Sequence, residues 1–413
     1  MRALLSFRLP LWFVIPFVGV VAVGMTLIGY IAATQMTTPC TLSATECQKL
    51  SRFYDAWQIV SENYVDPEAA STDALVDGAI TGLVDSLGDR GHSRYLSPEV
   101  AASERESLNG TFEGIGAYLS ERDGFVIIAA PIPGTPAARA GIRPGDRILK
   151  VDGVDVRSDS VSDLQSKVRG PSGSTVQLEI LHDDGSIEQI SITRASIDIP
   201  SVTWGMLPNN VAHIHLNQFS AQAEDDIKEA LLAANQAGAT HIILDLRNNP
   251  GGYVDQLMRV ASQFLPKGST VLIEEDRDGT RTPYTTDSTG LANTTPMVVL
   301  INGNSASAAE ILAGAFQAAD RATIIGEPTF GTATVLRPFD LDEGAQIRLG
   351  TSQWLTPAGE VVRGKGINPD TLIALSNLSD IVMPTMSAEM DEAELLESND
   401  NQLIEAYNTV RNQ

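Results

Sequence analysis

Met297-Val298-Val299-Leu300-Ile301-Asn302-Gly303-Asn304-Ser305-Ala306-Ser307-Ala308-Ala309-Glu310 decides how this chain of 413 residues is read. Its first five residues form an apolar run of the length of a buried strand, and a helical pattern runs from Ala308 to Ala319. Polar and small residues join them through a tight turn. Such a turn lifts one side chain onto a helix N-terminus, where free backbone N–H groups and the helix dipole favour negative charge. A serine there suits nucleophilic attack, with an oxyanion forming beside those amides. A hydroxyl nucleophile also needs a base. Downstream, Gly326-Glu327-Pro328-Thr329-Phe330-Gly331-Thr332-Ala333-Thr334-Val335-Leu336 contains no basic side chain.

The two segments together resemble the carboxyl-terminal processing peptidases, or tail-specific proteases. That family shows a serine in S-A-S-A-x-E and then G-E-x-T-F-G-K-G-x-V-Q. The resemblance makes Ser307 the nucleophile. It puts Thr332 where the family has its lysine base and Leu336 where it has the glutamine that positions that lysine. The turn Arg247-Asn248-Asn249-Pro250-Gly251-Gly252 matches the family's L-R-x-N-P-G-G, which implies an oxyanion hole from an amide of Gly251 or Gly252 and that of Ala308. The closing segment, Trp354–Gly359 through Gly364–Asp370 and including Lys365, also follows the family. The implied core is α/β and crotonase-like.

Around that core the periodicities divide the chain. Residues 47–108 read as a helical region, with Phe53, Trp57, Val60 and Tyr64 at helical spacing. Gly88 to Leu96 resembles the family's D-P-H-S-x-Y-L turn, with Arg90-Gly91 as departures and His92 as a structural turn residue. Residues 110–195 turn to strand periodicity and resemble an inserted, β-rich PDZ domain. The resemblance rests on Pro133 to Gly153, which ends in the hairpin signal Asp152-Gly153. PDZ modules add a peptide as a strand and hold its terminal carboxylate on backbone N–H groups, here those of Gly114, Ile115, Gly116 and Ala117. In residues 197–375 strands and helices alternate, as in an α/β core with mostly parallel strands. Residues 376–413 carry much of the acidic excess and read as a solvated tail.

Residues 9–33 contain no charge and follow Arg2 and Arg8. As a helix they reach about 37 Å, enough to span a bilayer. They read as an N-terminal transmembrane anchor with the body outside the cytoplasm; cleavage as a signal peptide, giving a secreted protein, is the alternative. A disulfide between Cys40 and Cys47 is plausible in such a compartment. The net charge of −24 argues against nucleic acid as a partner. Two cysteines and no His or Cys cluster give a metal site no support, and no cofactor is implied.

Two functions of different class remain open. One is a serine peptidase that takes protein substrates by their C-terminal tails. The other is a non-hydrolytic relative that binds such tails. Threonine cannot serve as the base, and none of His92, His182, His213, His215, His241 or Lys365 stands out as its replacement. The sequence leaves homo-oligomerisation and the client proteins open.

Overall fold

A computed structural model describes residues 43–89, 92–122, 125–132, 134–159, 161–182, 185–198 and 200–413. The anchor segment 9–33, Cys40 and Arg90-Gly91 lie outside these residues. Among the described residues no helix is long and apolar enough to cross a membrane, and Cys47 is disulfide-bonded.

The chain divides into two compact units, one ending at Ala79 and the other beginning at Ile80. In the first, the helix Ala44–Asn63 opens with a capping box. The Ser43 hydroxyl accepts from Glu46 N, and the Glu46 carboxylate accepts from Ser43 N. Phe53 meets Trp57 one turn on, with ring centroids 6.0 Å apart.

The second unit holds the α/β core. Its main sheet runs Val202–Leu207, Val211–Leu216, His241–Asp245, Met297–Ile301, Thr323–Gly326, Thr371–Leu372 in spatial order. Only the first pair is antiparallel; the others are parallel. The helices Ala223–Gln236, Val254–Phe264 and Ala308–Ala318 pack with Ile214, Leu244, Val299 and Ile301. The alternating residues Ile243, Val298, Leu300 and Ile325 point to the opposite face. Parallel sheets are buried on both sides, so that second face needs a cover.

The cover is the C-terminal segment, which corrects the reading of residues 376–413 as a solvated tail. Leu395 from the helix Glu392–Leu396 and Leu403, Ala406, Tyr407 and Val410 from the helix Asn401–Val410 fill the second face. Asp400 is fully buried and accepts from Arg247 Nη1 at 2.8 and 3.0 Å. Arg247 in turn binds Asp245 through Nε and Nη2. Burial alone would raise the Asp245 pKa, but the Arg247 charge and the hydrogen bonds from His213 and Arg247 outweigh it and hold it well below the usual carboxylate range.

A second sheet orders Arg94–Leu96, Gln346–Leu355, Thr270–Glu275 and Arg281–Thr285, with Thr334–Asp340 paired to Gln346–Leu355. The inserted β-rich domain has its own sheet and its own core, centred on Ile128, Leu164, Val176, Leu178 and Ile180. The chain enters it through Thr111–Gly114 and leaves through Ala195–Asp198, paired antiparallel. The hairpin at Asp152-Gly153 forms as expected, with φ of 50° and 82°, as a two-residue turn between strands requires.

Candidate active site

Ser307 sits where the central strand Met297–Ile301 turns into the helix Ala308–Ala318. Its φ of 54° and ψ of −117° are strained for a residue with a side chain, at a cost of about 1–3 kcal/mol. The side chain is half-buried, and its hydroxyl has no basic group as a hydrogen-bond partner among the described residues.

Glu310, three residues into the helix and fully buried, holds this elbow in place. One carboxylate oxygen accepts from Thr329 Oγ1 at 2.6 Å and Gly331 N at 2.7 Å. The other accepts from Ser307 N at 2.8 Å, Thr332 N at 3.0 Å and Thr332 Oγ1 at 2.6 Å. Thr332 Oγ1 also accepts from Ser307 N at 2.7 Å. The Thr332 hydroxyl therefore receives one hydrogen bond from the elbow and spends its only proton on Glu310. It ties Ser307 to the turn that follows Gly326 and is not arranged to take a proton.

The glycine turn lies directly against the serine. A Cβ built on Gly251 would stand 2.7 Å from Ser307 Cβ and 2.9 Å from Ala308 N, so only glycine fits, and its φ of +98° agrees. Asn249 stitches the two turns together. Its carbonyl accepts from Ala306 N, its amide donates to the Leu216 carbonyl, and its Oδ1 accepts from Gly251 N at 2.8 Å. That last bond takes the Gly251 amide out of any oxyanion hole, although the sequence reading counts it as a candidate. The N–H groups of Gly252 and Ala308 make no hydrogen bond within the described residues. Leu336 is half-buried on the strand Thr334–Asp340, opposite Gly350.

Ser307, Thr332, Gly251 and Ala308 thus come together, while Gly114–Ala117 belongs to the inserted domain. There Gly116 has φ +80°, and a Cβ on it would meet Thr135 Cβ at 2.4 Å. The carbonyls of Ile115 and Gly116 are used inside the domain, by Ala137 N and by Ile132 N and Thr135 Oγ1. The N–H groups of Ile115 and Gly116 make no hydrogen bond within the described residues.

The histidines separate clearly. His213 is fully buried between Ser387 and Asp245, and burial keeps its pKa below the ordinary value. His215 meets the Arg247 carbonyl, His182 pairs with Asp146 in the inserted domain, and His241 meets Thr240. His92 is the exception. Its Nδ1 is hydrogen-bonded to Thr334 Oγ1, two residues past Thr332.

Sequence reasoning assigned no role to Glu310, Asn249 or Thr329. Glu310 was findable, because a carboxylate three residues after a helix N-cap is the second half of a capping box. The other two carry no local signal.

A fold of this kind, with a strained serine elbow and a glycine turn against it, is that of a serine peptidase core. The model of "Peptidase family S41" matches residues 210–373, and that of "PDZ domain" matches residues 127–181. The chain is 34% identical over 362 residues to the carboxy-terminal processing protease CtpA of Bacillus subtilis, covering 88% of this chain and 76% of that one. It is 33% identical over 351 residues to a CtpA-like serine protease of Staphylococcus aureus, covering 84% and 69%. A solved S41 protease of Bacteroides fragilis shares the fold, with a TM-score of 0.56 at 18% identity over 86% of this chain and 96% of that one. The chain belongs to peptidase family S41, among the PDZ-containing C-terminal processing proteases.

Proposed function

We infer that this protein is a serine peptidase that captures protein substrates by their C-terminal tails and cleaves them through Ser307. The observation that carries the reading is Ser307 itself, held at positive φ beside two unused backbone donors, Ala308 N and Gly252 N. In this reading Ser307 attacks the scissile carbonyl, and those two amides take the oxyanion. Gly251 keeps the space between them clear. The Gly114–Ala117 loop holds the tail's carboxylate, and residues 9–33 anchor the chain in a membrane with its body outside the cytoplasm. The related proteases of Bacillus subtilis and Staphylococcus aureus are named for the same chemistry.

The test uses the full-length chain in detergent with unfolded proteins that end in apolar residues, beside Ser307→Ala. Cleavage by the parent that disappears in Ser307→Ala is the expected result; equal turnover by both sinks the assignment. The anchor is tested by cell fractionation, where recovery of the intact chain in the soluble fraction would refute it.

One observation favours a non-hydrolytic tail-binding protein instead: the Thr332 hydroxyl is committed to Glu310, and the family's lysine is absent. An inert parent that begins to cut as the Thr332→Lys, Leu336→Gln double variant decides for that reading.

A further inference from the structure

The turn that carries Gly252 N is held from two directions, and one of them lies across the sheet from the serine elbow. On the elbow side, Asn248 N donates to Asn302 Oδ1 at 2.9 Å, Ala306 N to the Asn249 carbonyl and Phe219 N to the Gly251 carbonyl. On the other side, Arg247 is the one residue of 247–252 whose side chain bonds to residues 376–413, among the described residues. Asp245 lies two residues past Ile243 and shares its face of the sheet, which the C-terminal segment covers. Arg247 folds back onto that face. Its Nε and Nη2 take the Asp245 carboxylate, while its Nη1 donates to Asp400 and, at 3.3 Å, to Gln402 Oε1. Its carbonyl accepts from His215 Nε2 at 3.0 Å.

Asp400 is itself fixed. It caps the helix Asn401–Val410 by accepting from Leu403 N at 3.0 Å, and its Oδ2 accepts from Val382 N at 2.9 Å. Gln402 Nε2 donates to the Ile373 carbonyl at 2.7 Å. Asp245, Arg247, Asp400 and Gln402 are all fully buried. Covering the sheet does not call for such a set, because Leu395, Leu403, Tyr407 and Val410 already fill that face. Taking an arginine and two carboxylates out of water is costly, and apolar replacements of similar volume are often neutral or stabilising. What the ionic set adds is direction. A planar guanidinium with fixed donors admits one placement between its two carboxylates, where apolar packing admits several.

We propose that Asp400 is a positioning residue for the oxyanion hole, through which the C-terminal segment sets the place of Gly252 N. The inference rests on the peptidase reading of Ser307. Asp400 touches neither substrate nor serine. It grips Arg247, Arg247 fixes the start of the turn, and the turn presents Gly252 N beside Ala308 N. A misplacement on the order of 1 Å in such a site is worth about 10²-fold in rate. The serine's reactivity thereby depends on a side chain 153 residues past Arg247, on the far face of the sheet.

A fluorophosphonate ester tests this without knowledge of the substrate. Ser307 Oγ displaces fluoride at phosphorus, the hydroxyl proton leaves with it as HF, and the label stays on the serine. Charge builds on the phosphoryl oxygen as the bond forms, so the saturating rate reads the oxyanion donors, and the half-saturating concentration reads reagent binding. Labelling is followed by intact mass on the full-length parent, Ser307→Ala, Asp400→Ala and Leu403→Ala, where near-ultraviolet circular dichroism shows each folded. Leu403→Ala loosens the same helix without touching Arg247, and so controls for lost stability. Asp400→Ala should lower the saturating rate about tenfold or more at an unchanged half-saturating concentration, with Leu403→Ala within about threefold of the parent. A parent-like rate in Asp400→Ala, or an equal fall in both variants, overturns the positioning role and leaves the peptidase standing. A parent labelled no faster than Ser307→Ala removes the peptidase reading, and this inference with it. If Asp400→Ala does not fold, Asp400→Asn decides, because it keeps the shape but leaves one accepting oxygen for three donors, Arg247 Nη1, Val382 N and Leu403 N. A fall of about threefold or more then supports the grip on Arg247, and a smaller change overturns it.

Discussion

Glu310→Gln probes whether one buried carboxylate organises the serine elbow. The substitution keeps the shape but leaves a single accepting oxygen where two now serve five donors. The new amide group can face either set. Facing Thr329 and Gly331, it lets the Thr329 hydroxyl rotate to accept, but the Gly331 N–H is orphaned. Facing the other set, it leaves Thr332 N–H without an acceptor and sets its own hydrogens against Ser307 N–H. The first arrangement is the less costly. It loses one buried backbone donor, at about 1–3 kcal/mol, together with the charge assistance of the remaining bonds. A destabilisation of about 2–4 kcal/mol follows, which lowers the unfolding midpoint of a unit this large by roughly 3–6 °C. Labelling of Ser307 by a fluorophosphonate falls as well, because the strain at φ 54° persists only while its surroundings enforce it. Thermal unfolding and labelling are followed on the same sample. A stability change below about 0.5 kcal/mol together with unchanged labelling would refute the reasoning.

The buried Arg247 should be equally sensitive. Arg247→Met leaves Asp245 and Asp400 buried without their cation, at a cost of about 3–5 kcal/mol at neutral pH. In the parent the depressed Asp245 contributes stability that is present above the unfolded pKa of about 4 and lost below it. In the variant burial dominates and raises that pKa above the unfolded value. The deficit therefore narrows as pH falls from about 7 towards 4, and denaturant midpoints that differ equally at both ends would contradict this. Gly116→Ala forces a Cβ into Thr135 at positive φ. It should abolish binding of apolar C-terminal peptides by calorimetry while Ser307 labelling remains; retained affinity removes the carboxylate loop from Gly114–Ala117.

Much of this protein was legible in order along the chain. The apolar run Met297–Ile301, the small residues after it and the helical pattern from Ala308 fix a strand–turn–helix, because period and turn chemistry are local properties. The Asp152-Gly153 hairpin is set locally in the same way. The C-terminal segment was misread because its acidity is local while its partner is not. Asp400 reads as solvated until Arg247, 153 residues earlier, is found against it. Leu403 and Tyr407 become core only when a parallel sheet presents a second bare face. Sequence alone determined the family, the serine at the strand–helix turn and the absence of a lysine from its expected place. Tertiary structure decided that the Thr332 hydroxyl is spent on Glu310, that the Gly251 amide is taken by Asn249, and that His92 stands beside Thr334. Each of these depends on side chains brought together across a turn or between sheets, and long-range contacts of that kind leave no periodicity to read.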